Sequence, residues 1–138
     1  MKEKDSDDEE EIEDEEEIRY EVILIGESGV GKKSIMNRLL KDNFKENMEP
    51  AISIAYAEKI IKLEKYKGKT LQFGIWLTSG QEKYLSLTKN FFPKATAALL
   101  VYDTTKKNSF EEIKNFWYNY VIEYCPEDIN KFLFFFNY

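Results

Sequence analysis

The sequence predicts an α/β fold with a mainly parallel sheet, and three observations carry that expectation. Short apolar runs alternate along the chain with segments whose apolar residues recur at helical spacing. A glycine-rich turn joins the first run to the first helix. No internal repeat and no Gly-, Ser- or Pro-rich linker divides residues 18–138, so they form one body long enough to bury a core.

Each element follows from its residues. Residues 20–25 are a short apolar run expected as a buried first strand, and residues 26–31 as the turn. Residues 33–44 carry Ile35, Met36, Leu39 and Leu40 at helical spacing. Residues 53–63 and 70–76 are strand candidates, joined as a hairpin through Gly68. Residues 97–102 are another buried strand. Ser109 is expected to cap a helix, with Glu112 completing a capping box. One stripe of that helix carries Phe110, Ile113, Trp117, Tyr120 or Val121, and Tyr124. Residues 132–136 are a last strand.

Charge divides the chain unevenly. The whole carries a net charge of -6, yet residues 1–17 hold 12 of its 26 Asp and Glu and only 2 of its 20 Lys and Arg. Residues 1–17 are expected to be a disordered acidic tail. Either the tail only solubilises the protein, or it folds back onto the mildly basic body and competes with an anionic ligand. The single cysteine, Cys125, cannot form an internal disulfide. With no histidine, Ser–His and Cys–His hydrolases and His-ligated zinc are excluded. No apolar run approaches the ~20 residues that span a bilayer, and the acidic start does not suit a signal peptide. The expectation is a soluble cytoplasmic protein.

Chemistry concentrates in Gly26-Glu27-Ser28-Gly29-Val30-Gly31-Lys32. These residues have the glycine spacing and the lysine of a phosphate-binding loop, between a strand and a helix where such a loop belongs. Glycines allow the backbone N–H groups to turn inward around phosphate oxygens, and Lys32 adds a point charge. The motif calls for Ser or Thr after the lysine, to ligate magnesium. Lys33 stands there instead. Ser34 is one residue further on, and a step along a helix turns a side chain by roughly 100°.

These residues, with others in order, resemble the Ras superfamily of small GTPases and most closely its Rab family. The resemblance runs from about Arg19 onward, through Ile52-Ser53-Ile54-Ala55-Tyr56 and Trp76-Leu77-Thr78-Ser79-Gly80-Gln81-Glu82. It continues with Phe91-Phe92-Pro93-Lys94-Ala95 and Val101-Tyr102-Asp103. It implies a three-layer P-loop NTPase fold that binds GTP and GDP, with regulator or effector proteins docking on switch segments at about 43–53 and 77–90. Phe44 falls where the family places an aromatic residue against guanine. Gly80 would approach the terminal phosphate, and Gln81 would be catalytic, orienting the attacking water. The implied site is 26–34 together with Phe44, Gly80 and Gln81.

The same comparison exposes losses. Lys33, Ala51 and Leu77 occupy the three positions that the family uses to hold magnesium, and none supplies an oxygen. No metal ligand is therefore assigned, and efficient hydrolysis is not expected although Gln81 is retained. Lys33 leaves two readings: its ammonium offsets phosphate charge near the metal position, or it points to solvent. Asn137 stands where guanine recognition begins, but the family's aspartate, last strand and last helix would lie beyond Tyr138. That leaves one face of the aromatic strand 132–136 uncovered, as in a short protein or an incomplete sequence. The family's prenylation cysteines are also missing, so no lipid anchor is assigned, membrane association is not expected to be encoded in this chain, and any endomembrane contact is expected to be peripheral. Two functional readings stand: a Rab-like regulator of vesicle traffic, or a degenerate pseudo-GTPase serving as an interaction module. Nucleic acid is not an expected partner, because no dense basic stripe exists.

Overall fold

A computed structural model describes residues 17–41, 55–66, 68–78, 86 and 88–137. Its strands are β1 (Glu17–Ile25), β2 (Ala55–Leu63), β3 (Lys69–Leu77), β4 (Ala97–Asp103) and β5 (Asn130–Phe136). They form one sheet in the order β2-β3-β1-β4-β5. β1 runs parallel to both β3 and β4, and β4 runs parallel to β5. Only the β2–β3 pair is antiparallel. The expected hairpin is present, and Gly68 supplies its left-handed turn position at φ 75°.

Strand alternation sends successive side chains to opposite faces, and helices cover both. On one face Leu24, Ile75, Leu77 and Val101 pack with Val30, Ile35 and Met36 of the loop and of helix α1 (Lys32–Lys41). On the other, Ile23, Ile25, Ala98 and Leu100 meet Ile113, Trp117 and Val121. Those three residues belong to a helical segment made of α2 (Lys107–Glu112), a π-helical turn (Ile113–Trp117) and α3 (Tyr118–Tyr124). Residues spaced by four drift round an ordinary 3.6-residue helix. The wider π turn keeps 113, 117 and 121 on the sheet. The three-layer expectation holds.

Several expectations need correction. Glu17, assigned to the acidic tail, is already the first residue of β1, paired with Thr70. Residues 1–16 lie outside the described residues. Ser109 does not cap its helix. The helix begins at Lys107, and the Ser109 hydroxyl donates backwards to the Lys106 and Asp103 carbonyls while accepting from the Asp103 N–H at 3.0 Å. The capping box is therefore absent, because a buried serine with three near backbone partners satisfies them from inside the first turn. β5 departs further still. Both its faces are open: Phe132 and Phe134 on one, Leu133 and Phe135 on the other, each between 41% and 60% exposed.

Candidate functional site

The site grows from the carboxyl ends of the parallel strands, the usual ligand position in an open α/β sheet. There the chain leaves β1 and crosses to α1 through residues 26–31. Gly26, Gly29 and Gly31 take φ angles of 146°, 78° and 108°. At Gly26 glycine is obligatory twice over, since a Cβ would also collide with the Val101 carbonyl oxygen of β4. At Gly31 a Cβ would come within 2.9 Å of the Phe136 ring. Val30 turns its side chain into the α1-face core and leaves only its backbone to the loop. Ser28 and Gly29 form the exposed crown, and Glu27 is half-buried.

Lys32 is the charge of this cradle. Its ammonium is buried and donates to the Gly26 and Glu27 carbonyls at 2.7 and 2.6 Å. Burial pushes its pKa down to about 8, against a smaller upward pull from Glu27. An ammonium has three donors, and the third has no protein partner among the described residues. A buried cation with a donor unmet among the described residues, beside a glycine-rich turn at a helix start, fits the oxygens of a phosphate. Lys33 is half-buried and Ser34 is buried, both at the start of α1.

The structure brings together nine of the twelve expected site residues, 26–34. Phe44, Gly80 and Gln81 lie outside the described residues, as does switch segment 43–53. Of segment 77–90, Leu77, Thr78, Ser86 and 88–90 are described. Leu77 is buried in the α1-face core, so it offers the site neither an oxygen nor a free surface. Thr78 ties the end of β3 to β1, its hydroxyl donating to the Leu24 carbonyl at 2.8 Å. With an ammonium at 33 and a buried methyl-bearing side chain at 77, the described residues do not fit a protein-ligated magnesium ion. Asn137 follows directly on Phe136, whose carbonyl accepts from the Thr104 N–H at 2.9 Å.

One neighbour of the loop was not expected from sequence. Lys106, after β4, donates to the Gly29 carbonyl at 3.4 Å, and it also lies 3.7 Å from the buried Asp103 carboxylate. Parallel pairing was the available signal, because it places the loops after β1 and β4 side by side. Cys125 stays outside the site; burial pushes its thiol up to about 11, which keeps it unreactive at neutral pH.

A second feature lies along β1, β2 and β3. Trp76 donates to Glu21 Oε2 at 2.7 Å and stacks on Phe91, with ring centroids 4.4 Å apart. Arg19 bridges Glu21, Tyr56 and Glu58 at 2.8, 2.7 and 3.1 Å. No described helix is long and apolar enough to cross a membrane.

Comparison with known proteins agrees with this fold. The model of the Ras family matches residues 21–135. The chain is 39% identical to the Ras-related protein RabC of Dictyostelium discoideum over 117 residues, 85% of this chain and 55% of the relative. It is 41% identical to the GTP-binding protein YPT53 of Saccharomyces cerevisiae over 112 residues, 81% of this chain and 49% of the relative. Human Ras-related protein Rab-12 is 35% identical over 112 residues, 81% of this chain and 44% of its own length. The chain therefore spans about half the length of the curated relatives it matches.

Proposed function

The chain belongs to the Ras family, and from that premise we propose that it is a Rab-like small GTP-binding protein, a nucleotide-dependent regulator of vesicle traffic. The observation that carries the reading is Lys32: a buried ammonium, bonded to the loop's own carbonyls, with one donor that no described residue takes up and that a phosphate oxygen could. Gly26, Gly29 and Gly31 open the loop, and the amides of residues 29–34 are the proposed donors to phosphate. Guanine nucleotide is the proposed ligand, with Phe44 against the base, Gly80 at the terminal phosphate and Gln81 orienting water. Effector or regulator proteins are proposed to dock at 43–53 and 77–90, with the protein in the cytoplasm and peripheral to endomembranes. The relatives named above are Ras-related and GTP-binding proteins, and that supports the reading over the 112–117 residues they match.

A second reading has its own support in Lys33 and Leu77. With no oxygen at either position, the protein holds nucleotide without a magnesium ion bound by its side chains, and it hydrolyses GTP slowly or not at all. In that case Lys33 offsets the phosphate charge. Losing that electrostatic stabilisation slows phosphoryl transfer by roughly a hundredfold or more.

Both readings are tested by titrating fluorescent GDP and GTP into the parent chain and into Lys32→Ala and Lys33→Ala, followed by single-turnover hydrolysis. Binding lost in Lys32→Ala supports the phosphate site, and equal affinity in Lys32→Ala and the parent refutes it. Equal affinity in Lys33→Ala and the parent removes the role given to Lys33. Hydrolysis at the rate of an ordinary small GTPase would overturn the second reading.

A further inference from the structure

The phosphate loop receives a side chain from a distant part of the chain. Lys106 and Gly29 are 77 residues apart, yet the Lys106 ammonium donates to the Gly29 carbonyl at 3.4 Å. It is steered there by Asp103, whose Oδ2 lies 3.7 Å away. Asp103 is itself fixed. Its Oδ1 accepts from the Thr105 N–H at 2.8 Å and the Thr105 hydroxyl at 2.6 Å, and its own N–H donates to Ser109 Oγ. Burial pushes this carboxyl up, but the Thr105 hydrogen bonds and the Lys106 charge outweigh burial and hold it below the usual range. It therefore stays ionised at neutral pH and keeps its hold on the lysine.

The consequence for the loop follows from peptide geometry. In a trans peptide the carbonyl and the next residue's N–H point in opposite directions. A cation that draws the Gly29 carbonyl to the outer side therefore turns the Val30 N–H toward the interior. Lys32 holds the Gly26 and Glu27 carbonyls toward its own buried ammonium, so by the same geometry the N–H groups of Glu27 and Ser28 turn away from it, and the phosphate-facing amides must come from later in the loop. Gly29 sits in the exposed crown at φ 78°, where a glycine peptide has the greatest freedom to turn.

We propose that Lys106 is a positioning residue of the phosphate loop: anchored by Asp103, it pins the 29–30 peptide so that the Val30 N–H faces a bound phosphate oxygen. The inference rests on reading 26–34 as a phosphate site. The Lys106 side chain is 56% exposed, so its replacement leaves the core intact.

The test compares the parent chain with Lys106→Met and Lys106→Arg, using inorganic pyrophosphate as the probe by calorimetry and nitrogen-15 relaxation on the unliganded proteins. In Lys106→Met the Val30 amide order parameter should fall from about 0.85 toward about 0.6. Pyrophosphate affinity should fall about tenfold, the scale of one charged hydrogen bond, with an unchanged melting temperature. Lys106→Arg should recover most of both. An unaltered Val30 amide in Lys106→Met overturns the proposal. So does lost affinity without loss of order, since the lysine would then be contacting the anion itself. If the parent binds no pyrophosphate, the phosphate-site reading fails, and the Val30 order parameter still decides whether Lys106 pins the loop.

Discussion

β1 and β5 read alike as sequences and end up in opposite environments. Each is a run of apolar residues, Val22-Ile23-Leu24-Ile25 in one and Phe132-Leu133-Phe134-Phe135-Phe136 in the other. At the centre of the sheet, Ile23, Leu24 and Ile25 are 0–1% exposed, sealed by helices on both faces. At the edge, residues 132–135 remain open on both faces and pair with β4 alone. An apolar run thus predicts a strand, while its place in the sheet decides how much burial that strand obtains. Function follows the same division. The buried end of β1 leads into the loop proposed to hold phosphate, and β5 meets that loop through its last ring, Phe136 against Gly31.

The comparison breaks most severely at the exit of β1. Gly26→Ala combines a left-handed backbone with a collision against the Val101 carbonyl, and strain and overpacking together should cost roughly 5 kcal/mol. Chemical denaturation would show a large loss of stability or no cooperative transition. A variant within 1 kcal/mol of the parent would mean that the loop has slack.

Side-chain truncation sharpens the contrast. Leu24→Ala should cost about 2–5 kcal/mol in denaturant unfolding, as buried leucines do. Leu133→Ala, at a position 54% exposed, should change stability by less than about 1 kcal/mol. Equal losses would show that β5 is covered in solution.

Titration probes the loop at the end of β1. The folded protein holds the Lys32 proton less tightly than the unfolded chain, whose lysine has a pKa near 10.5. Stability is therefore lower below about pH 8 and rises as pH climbs toward 10.5, by up to about 3 kcal/mol. Phosphate binding has the opposite slope, because it requires the ammonium: affinity should fall above about pH 8. Lys32→Met should flatten the stability profile.

The smallest effect belongs to the covered face of β1. Trp117 Nε1 is buried with no hydrogen-bond partner among the described residues. Trp117→Phe removes that unmet donor along with some packing, so its net effect should stay within about 1 kcal/mol, in contrast to Trp117→Ala at about 3–5 kcal/mol.

Much of this was legible in the sequence. Apolar runs and glycine turns located every described strand, and the glycine spacing of 26–31 located the turn between β1 and α1, whose reading as a phosphate loop is a proposal. The Ser109 cap failed because capping patterns describe local bonding, whereas here Asp103 drew the serine into a contact across the turn. The partnership of Lys106 with Gly29 was invisible for a related reason. It depends on which strands lie side by side, and no pattern within either segment records that. The openness of β5 on both faces likewise depends on its neighbours, since phenylalanine side chains read the same in a centre strand and at an edge.

The central claim is that Lys32 and the loop amides hold the nucleotide phosphates while Lys33 and Leu77 leave no protein-ligated magnesium. Its most direct test is the affinity of fluorescent GDP for the parent chain in excess magnesium and again in excess chelator. Binding should change less than about threefold between the two, well short of the tenfold that about 1.4 kcal/mol of metal stabilisation would supply. Affinity that collapses in chelator would contradict it, and would restore a magnesium site despite the residues at 33 and 77.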